Sequence, residues 1–392
     1  MSPVPLRVAI LGATGSIGTQ ALDVIRALRR EGRPLEVVAV AAGRSVEALA
    51  STVREFAVRR VGIAGPAEAD RLRPLVPPET EIVHGPDGLA HLASLPEVDL
   101  VLNAVVGARG LGPTLAALAA GKILALANKE SLVIGGELVW RARPRRDAII
   151  PVDSEHAALF QLLRGIDPHE VDRVWITASG GPFRDRSPAE LASVTPLQAL
   201  AHPVWPMGKR ISVDSATLAN KAFEVIEAHH LFALPWERIG VLVHPQARVH
   251  ALVEVVDGTV LAQLAPPDMR IPIRAALTHP ERCPPPPARL SFAELDLSLA
   301  ALPAGRYPTF DTVLAAGRMG GTAPAVANAA DEVFVEAFLR GEIPFPAIGE
   351  GIAIVLDDHR VSPVQDVADV IAADNWARER ARAVVAQRRC SV

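Results

Sequence analysis

The sequence predicts an α/β protein in consecutive parts: an N-terminal Rossmann-like, doubly wound domain at 1–150 and a central α+β domain with a mixed sheet at 151–280. A proline-rich linker at 281–309 and a C-terminal helical bundle at 310–392 complete the chain. Three observations predict this. Short apolar runs alternate with helical stretches through the first part, the pattern of a mostly parallel sheet. Strand-like runs then follow one another with hairpin signals, Asp257-Gly258 being the clearest. From Phe310 onward the periodicity is helical, interrupted by Gly and Pro near 320, 341–346 and 362–363.

The composition bounds the function. A length of 392 residues allows two or three domains, and 49% hydrophobic residues suffice to give each a core. The net charge of −4, with both signs interspersed, leaves no footprint for nucleic acid. Two cysteines, Cys283 and Cys390, fit a reducing compartment and exclude a disulfide scaffold. The chain enters an apolar strand almost at once, without the charged and long apolar regions of a signal peptide. Its most apolar stretch, Leu100 to Ala127, contains Arg109 and Lys122, so no membrane span is expected there. The expectation is a soluble, cytoplasmic protein.

Residues 6–18, LRVAILGATGSIG, place glycines 12, 15 and 18 between an apolar run and a helical pattern. Strand, glycine turn and helix form the context in which a dinucleotide pyrophosphate sits on a helix N-terminus. The second strand, LEVVAVAAG, ends in Gly43-Arg44-Ser45, with no acid until Glu47. An arginine and a hydroxyl suit a 2′-phosphate, which favours NADP over NAD; the alternative is a solvated loop charge. Runs at VRRVGIA, TEIVHG and VDLVLNAVVG continue the sheet. The run at LALA ends in Asn128-Lys129-Glu130, three polar residues at a strand's carboxyl end, where such sheets bind ligands.

In the central domain, Asp153-Ser154-Glu155-His156 follows a short strand. Read as extended chain, it turns Asp153 and Glu155 the same way, a pair of hard oxygen donors suited to Mg²⁺ or Mn²⁺. His156 points away and reads as structural. Ser179-Gly180-Gly181-Pro182 offers a hydroxyl and exposed amides to an anion. The stretch from His202 to Glu227 begins as a loop, with Trp205 and Met207 placed as a lid over a small ligand would be. It continues as a helix expected to open near Ser215. Thr217, Asn220, Glu224 and Glu227 share one face of that helix, with Lys221 beside them. Such a stripe is either a solvated face or a helix aimed into a site, where it would supply phosphate donors and a metal carboxylate. RIGVLVHP, ALVEVVDG and TVLAQLAPP join VWITAS in a sheet that leaves one face for self-association.

These motifs together resemble the 1-deoxy-D-xylulose 5-phosphate reductoisomerase family. The resemblance rests on GATGSIG, ANKESLV, PVDSEH, ASGGPF, HPVWPMG, ISVDSATLANKAFEVIEA, HPQ and PDMR, in that order over essentially the whole chain. It implies an NADPH- and metal-dependent (Mg²⁺ or Mn²⁺, or Co²⁺) homodimer. The implied reaction isomerises and reduces a phosphorylated sugar in the methylerythritol phosphate route to isoprenoids, by an aldol-type or a ketol-type path. It assigns the pyrophosphate loop to Thr14, Gly15, Ser16 and Ile17, the adenosine-phosphate site to Gly43, Arg44 and Ser45, and further NADPH contacts to Asn128, Glu130 and Gly208. The metal carboxylates are then Asp153, Glu155 and Glu224, and the phosphate cradle Ser179, Ser215, Asn220 and Lys221. Lys129, Ser154, His202 and Met269 match substrate-contacting positions, with Lys129, His202 and the three carboxylates in the catalytic set, and Trp205 and Met207 match the lid. Glu227 is not a ligand by this comparison.

The chain departs from the family pattern at Pro206 and Ala247, each commonly serine, and at Ala265-Pro266-Pro267, where the family carries Gly-Glu before PDMR. None of these is a metal or charged phosphate ligand. The rival enzyme reading, a semialdehyde-type NADP dehydrogenase, wants a nucleophilic cysteine in mid-chain, whereas Cys283 sits in the proline linker. A catalytically silent NADP sensor is the rival from another class, and intact carboxylates with Lys221 argue against it.

Overall fold

The computed structural model describes residues 4–201 and 208–389. Strands and helices alternate from the start: β1 (Leu6–Leu11), α1 (Ser16–Arg30), β2 (Leu35–Ala41), α2 (Val46–Phe56), β3 (Arg60–Ile63), α3 (Pro66–Leu72), β4 (Glu81–His84) and α4 (Gly85–Ser94). The alternation runs on through β5 (Leu100–Asn103), α5 (Leu111–Ala119), β6 (Ile123–Leu126), α6 (Glu130–Ala142), β7 (Ile149–Pro151) and α7 (Ser154–Leu162). All seven strands pair in parallel in the order β4-β3-β2-β1-β5-β6-β7. A parallel sheet is covered on both faces, which is why its strands are continuous apolar runs rather than alternating ones. Val8 to Leu11 are accordingly fully buried. The order reverses at β1, between β2 and β5, and ligands bind outside the carboxyl ends of the strands at such a switch point.

Next come β8 (Val171–Ala178), α8 (Pro188–Leu191), α9 (Pro196–Leu200), α10 (Lys209–Thr217), α11 (Ala219–Phe232), β9 (Ile239–Val243), β10 (Val249–Val255), β11 (Val260–Leu264), α12 (Arg270–Thr278) and β12 (Ala300–Ala301). Five of these strands form the mixed sheet β11-β10-β8-β9-β12, in which only β8 and β9 are parallel. Helices α13 (Pro308–Met319), α14 (Ala323–Leu339), α15 (Ala347–Asp357) and α16 (Val367–Arg389) end the chain. Alanine and glycine bring them close: a Cβ at Gly351 would stand 2.3 Å from the Phe334 ring.

The chain divides into two compact units. One comprises Met1–Ser131, Val139–Ala157 and Asp268–Ala288; the other comprises Leu132–Leu138, Ala158–Pro267 and Arg289–Val392. Helix α12 thus returns to the first unit, where it packs on α1 and its buried Arg274 pairs with Glu31. Among the described residues no helix is long and apolar enough to cross a membrane.

Candidate active site

At the end of β1 the backbone turns through Gly12, whose φ of +90° a side chain would strain. A Cβ there would also lie 2.4 Å from the Ala104 carbonyl oxygen, and one at Gly18 would lie 2.2 Å from the Gly12 carbonyl. The glycines therefore let α1 start directly against the turn. Gly15, the N-cap of α1, offers no side-chain cap, and no acid stands in the first turn. The unsatisfied first-turn amides and the positive helix end fit a dinucleotide pyrophosphate. Gly15 and Ser16 are exposed, and Thr14 and Ile17 half-buried.

After β2, Gly43, Arg44 and Ser45 are all exposed. Ser45 is the N-cap of α2 without using its hydroxyl as a cap. The nearest acid, Glu47, is engaged by Arg71 at 3.0 Å. An exposed guanidinium and a hydroxyl at a helix start fit a 2′-phosphate.

Asn128 and Glu130 are not simple surface polar residues. Asn128 is 1% exposed, and its amide donates to the carbonyls of Val105 (2.7 Å) and Gly107 (3.0 Å) and to Glu130 Oε2 (2.8 Å). Glu130 Oε1 accepts the Gly107 amide at 3.1 Å. Asn128 Oδ1 accepts from the amide and the hydroxyl of Ser131. The Ser131 hydroxyl lies 3.0 Å from that of Thr114, which takes a bond from Asn103 Nδ2 at 2.9 Å. Asn103 also donates to Gly110 O at 2.9 Å. This buried network ties the loop 104–110 after β5 to the end of β6, and buried amides that are fully bonded fix a backbone in one place. Sequence reasoning missed Asn103, Thr114 and Ser131. The one available signal was an asparagine ending the otherwise apolar strand LVLN.

Asp153 follows β7 and immediately precedes α7, so Glu155 occupies the first helical turn. The extended reading of this segment gives way to a helix start: Asp153 Oδ1 accepts the Glu155 amide at 3.3 Å, as a residue ahead of a helix does. One carboxylate oxygen each of Asp153 and Glu155 still lie within 4.8 Å of one another. Lys129 Nζ bonds Asp153 Oδ2 at 2.9 Å, with both side chains largely buried. His156, fully buried, lies with Nδ1 3.1 Å from Asp153 Oδ1, so it does not point away from the carboxylates as the extended reading had it; the helix start turns it onto Asp153. Ser154 donates its hydroxyl to Glu155. Two adjacent carboxylates braced by a lysine, a histidine and a hydroxyl fit a hard divalent ion. Met269 stands at the N-cap position of α12 without a side-chain cap bond.

In the second unit, β8 leads into the turn Ser179-Gly180-Gly181, with both glycines at positive φ, 82° and 69°. A Cβ at Gly181 would stand 2.5 Å from Ser215 O, so this turn packs directly on the end of α10. The Gly181 amide donates to Ser179 Oγ at 3.3 Å, and the buried Tyr307 hydroxyl donates to Gly180 O at 3.1 Å. The helix expected to open at Ser215 in fact opens at Lys209 and stops at Leu218, where φ is +59°. Thr217 spends its hydroxyl on this break, accepting the Ala219 amide at 3.2 Å. Helix α11 then carries Asn220 and Lys221 on its first turn and Glu224 on the next. Lys221 and Asn220 both donate to the Glu224 carboxylate, and Lys221 and Glu224 are 4% and 2% exposed. Glu227 is 1% exposed, so the polar stripe is an interior face and not a solvated one. Gly208 is the exposed N-cap of α10. His202, Trp205, Pro206 and Met207 lie outside the described residues.

Three family models match the chain. One described as 1-deoxy-D-xylulose 5-phosphate reductoisomerase matches residues 8–136, and the model of that enzyme's C-terminal domain matches 149–232. A second DXP reductoisomerase C-terminal domain model matches 264–380. The reductoisomerase of Symbiobacterium thermophilum is 51% identical over 390 residues, covering 96% of this chain and 97% of its own length. That of Moorella thermoacetica is 51% identical over 380 residues, with 96% and 97% covered. The structure of the Zymomonas mobilis reductoisomerase in complex with NADPH aligns with a TM-score of 0.88 at 41% identity, over 97% of this chain and 99% of that one. A DOX-P reductoisomerase in complex with NADPH, fosmidomycin and magnesium aligns with a TM-score of 0.90 at 36% identity, over 97% and 98%.

Proposed function

The chain belongs to the 1-deoxy-D-xylulose 5-phosphate reductoisomerase family, and from that premise we propose how its own residues carry the family's reaction. The chain is an NADP-dependent oxidoreductase that converts 1-deoxy-D-xylulose 5-phosphate to 2-C-methyl-D-erythritol 4-phosphate, using a divalent metal, in the methylerythritol phosphate pathway. One observation supports the residue assignments most. The glycine turn after β1, Arg44 after β2, the loop after β5, Asn128 to Glu130 after β6, and Asp153 with Glu155 after β7 all follow carboxyl ends of strands of one sheet.

In this reading Thr14 to Ile17 receive the pyrophosphate, and Gly43 to Ser45 the 2′-phosphate. Asn128 and Glu130 hold the loop 104–110 in place beside the cofactor. NADPH supplies the hydride, and the protein's part is to position it. A divalent ion held by Asp153, Glu155 and Glu224 supplies Lewis-acid stabilisation of the charge that develops on the substrate oxygens. Lys129 and His156 fix the direction of the Asp153 carboxylate, and Lys129 with Ser154 also faces the substrate. Ser179, Ser215, Asn220 and Lys221 hold the phosphate. Asn220 and Lys221 also hold Glu224 in the structure, and their remaining N–H donors are the ones offered to the phosphate. His202, Trp205, Met207, Gly208 and Met269 complete the substrate and cofactor contacts. The active form is a cytoplasmic homodimer.

The test follows NADPH absorbance with the phosphorylated deoxyxylulose and Mg²⁺ or Mn²⁺. Consumption should require substrate and metal and should stop with a chelator. Consumption unaffected by the chelator would overturn the metal assignment, and none with any metal would overturn the activity.

A further inference from the structure

The C-terminal helices present no chemistry of their own in the sequence, yet they hold the helix that carries Ser215. Arg210, in the first turn of α10, donates to Glu332 Oε1 (2.7 Å), Asn328 Oδ1 (2.9 Å) and Asp331 Oδ2 (3.2 Å), all on α14. Its Nε also lies 3.4 Å from Asp214 on the next turn of α10. The second oxygen of Glu332 pairs with Arg378 on α16 at 2.7 Å, and Arg378 in turn grips Asp374 at 2.6 Å. Asn328 and Asp331 are fully buried. Burial pushes the Asp331 carboxyl up to about 6 against the pull of Arg210, as expected where acids outnumber cations. An arginine is suited to this task because its planar fork reaches several acceptors at once in fixed geometry.

Helix α10 is only nine residues long, so its two ends move together. One end is clamped by Arg210. The other presents Ser215 against the Gly181 turn, where a Cβ would already be 2.5 Å from Ser215 O, leaving no room for the helix to shift inward. We propose that Arg210 is a positioning residue for substrate phosphate: by pinning α10 to α14 it sets where Ser215 stands relative to Ser179. The inference rests on the proposed phosphate role of Ser215.

The test uses the full-length enzyme with NADPH and Mg²⁺, comparing Arg210→Gln, Arg210→Lys, Asn328→Ala and Ser215→Ala. Arg210→Gln should raise KM for the phosphorylated sugar at least tenfold and weaken inhibition by inorganic phosphate in parallel, while KM for NADPH stays within twofold. Arg210→Lys, keeping charge without the fork, should fall between. Asn328→Ala, which leaves every charge paired, should show a smaller shift of the same kind. The double variant Arg210→Gln/Asp331→Asn removes the buried carboxylate that loses its arginine and should recover melting temperature without recovering KM. Recovery of KM together with melting temperature would reduce Arg210 to a stability residue and overturn the proposal. So would an unchanged sugar KM in Arg210→Gln or, should that variant not fold, in Arg210→Lys and Asn328→Ala. Ser215→Ala separates the two levels. If it leaves sugar KM and phosphate inhibition unchanged, the phosphate reading itself fails; if it raises KM and the Arg210 series does not, only the positioning inference fails.

Discussion

The carboxyl edge of the seven-stranded sheet and the α10–α11 segment solve the problem of holding charged ligands in opposite ways. At the sheet edge the proposed binding groups are backbone amides and exposed side chains: Gly15, Ser16, Gly43, Arg44 and Ser45 are all open to solvent. On α11 they are long charged side chains withdrawn from water, with Lys221 4% and Glu224 2% exposed. An amide at a helix start carries its partial charge without desolvation cost. A buried lysine or glutamate must be paired or it loses several kcal/mol. The first arrangement tolerates substitution in its fold but not in its ligand preference. The second couples function to stability.

The largest expected effect breaks the buried side. Glu224→Gln should lower kcat by a factor on the order of a thousand or more, because losing one of three hard ligands weakens chelation and leaves developing charge uncompensated. It also removes the charge of the carboxylate that Lys221 bonds, so a lowered melting temperature should accompany the loss, while NADPH affinity stays near wild type. Glu227→Gln, one turn along the same helix, should lose far less. Equal losses in the two variants would mean that burial, not metal ligation, explains Glu224. Steady-state kinetics with metal titration, together with thermal melts, decide it.

Next comes a pH effect confined to the buried helix. His230, packed against Gly136 and beside His229, is pushed down to about 4 by burial and by that neighbour. The unfolded chain takes up this proton near pH 6.5, whereas the folded one resists it until about 4. The unfolded state therefore binds more protons in that window, and the histidine's contribution is lost as pH falls from 6.5 to 4. The loss approaches about 3 kcal/mol. Asp331, raised to about 6, acts with opposite sign as pH rises, so the wild-type slope alone is ambiguous. The gap in unfolding free energy between wild type and His230→Gln isolates the histidine. It should shrink as pH falls from 6.5 to 4, read by urea denaturation at stepped pH, and a constant gap would refute the assignment.

The same contrast explains what was legible. The dinucleotide turn could be read because glycine spacing, strand and helix are local signals, and Gly12 and Gly18 are required by backbone contacts five to six residues away or just past the adjoining strand's end. The strands were legible because a parallel sheet writes itself as apolar runs. The break of α10 at Leu218 was not, since no glycine or proline marks a leucine at positive φ, and the break is held by Thr217 and tertiary packing. The stripe of α11 had the right period but not its burial, because periodicity gives a face without saying what covers it. Asn103, Thr114, Ser131 and Arg210 were invisible for the same reason: each has a partner 7 to 122 residues distant in sequence.

The smallest expected effect tests the exposed side. Arg44 stands on a solvent-facing turn ahead of the buried Val46, which opens α2. Arg44→Asp should leave the melting temperature unchanged, since no core group or buried pair is touched. It places a carboxylate where a 2′-phosphate would lie, replacing a charge-assisted contact by repulsion and offering an acceptor to ribose hydroxyls instead. A contact of this kind is worth roughly tenfold to a hundredfold in relative affinity. The ratio of kcat/KM for NADPH over NADH should fall by that factor, mostly through KM for NADPH, with kcat at saturation little altered because the hydride-transferring end is untouched. If the ratio stays at its wild-type value, Arg44 is only a solvated charge, and the preference must be set elsewhere along the β2–α2 turn, with Ser45 the next residue to change. If kcat falls while KM does not, the turn is coupled to the reacting centre, and the contrast between an exposed site of affinity and a buried site of chemistry fails on its exposed side.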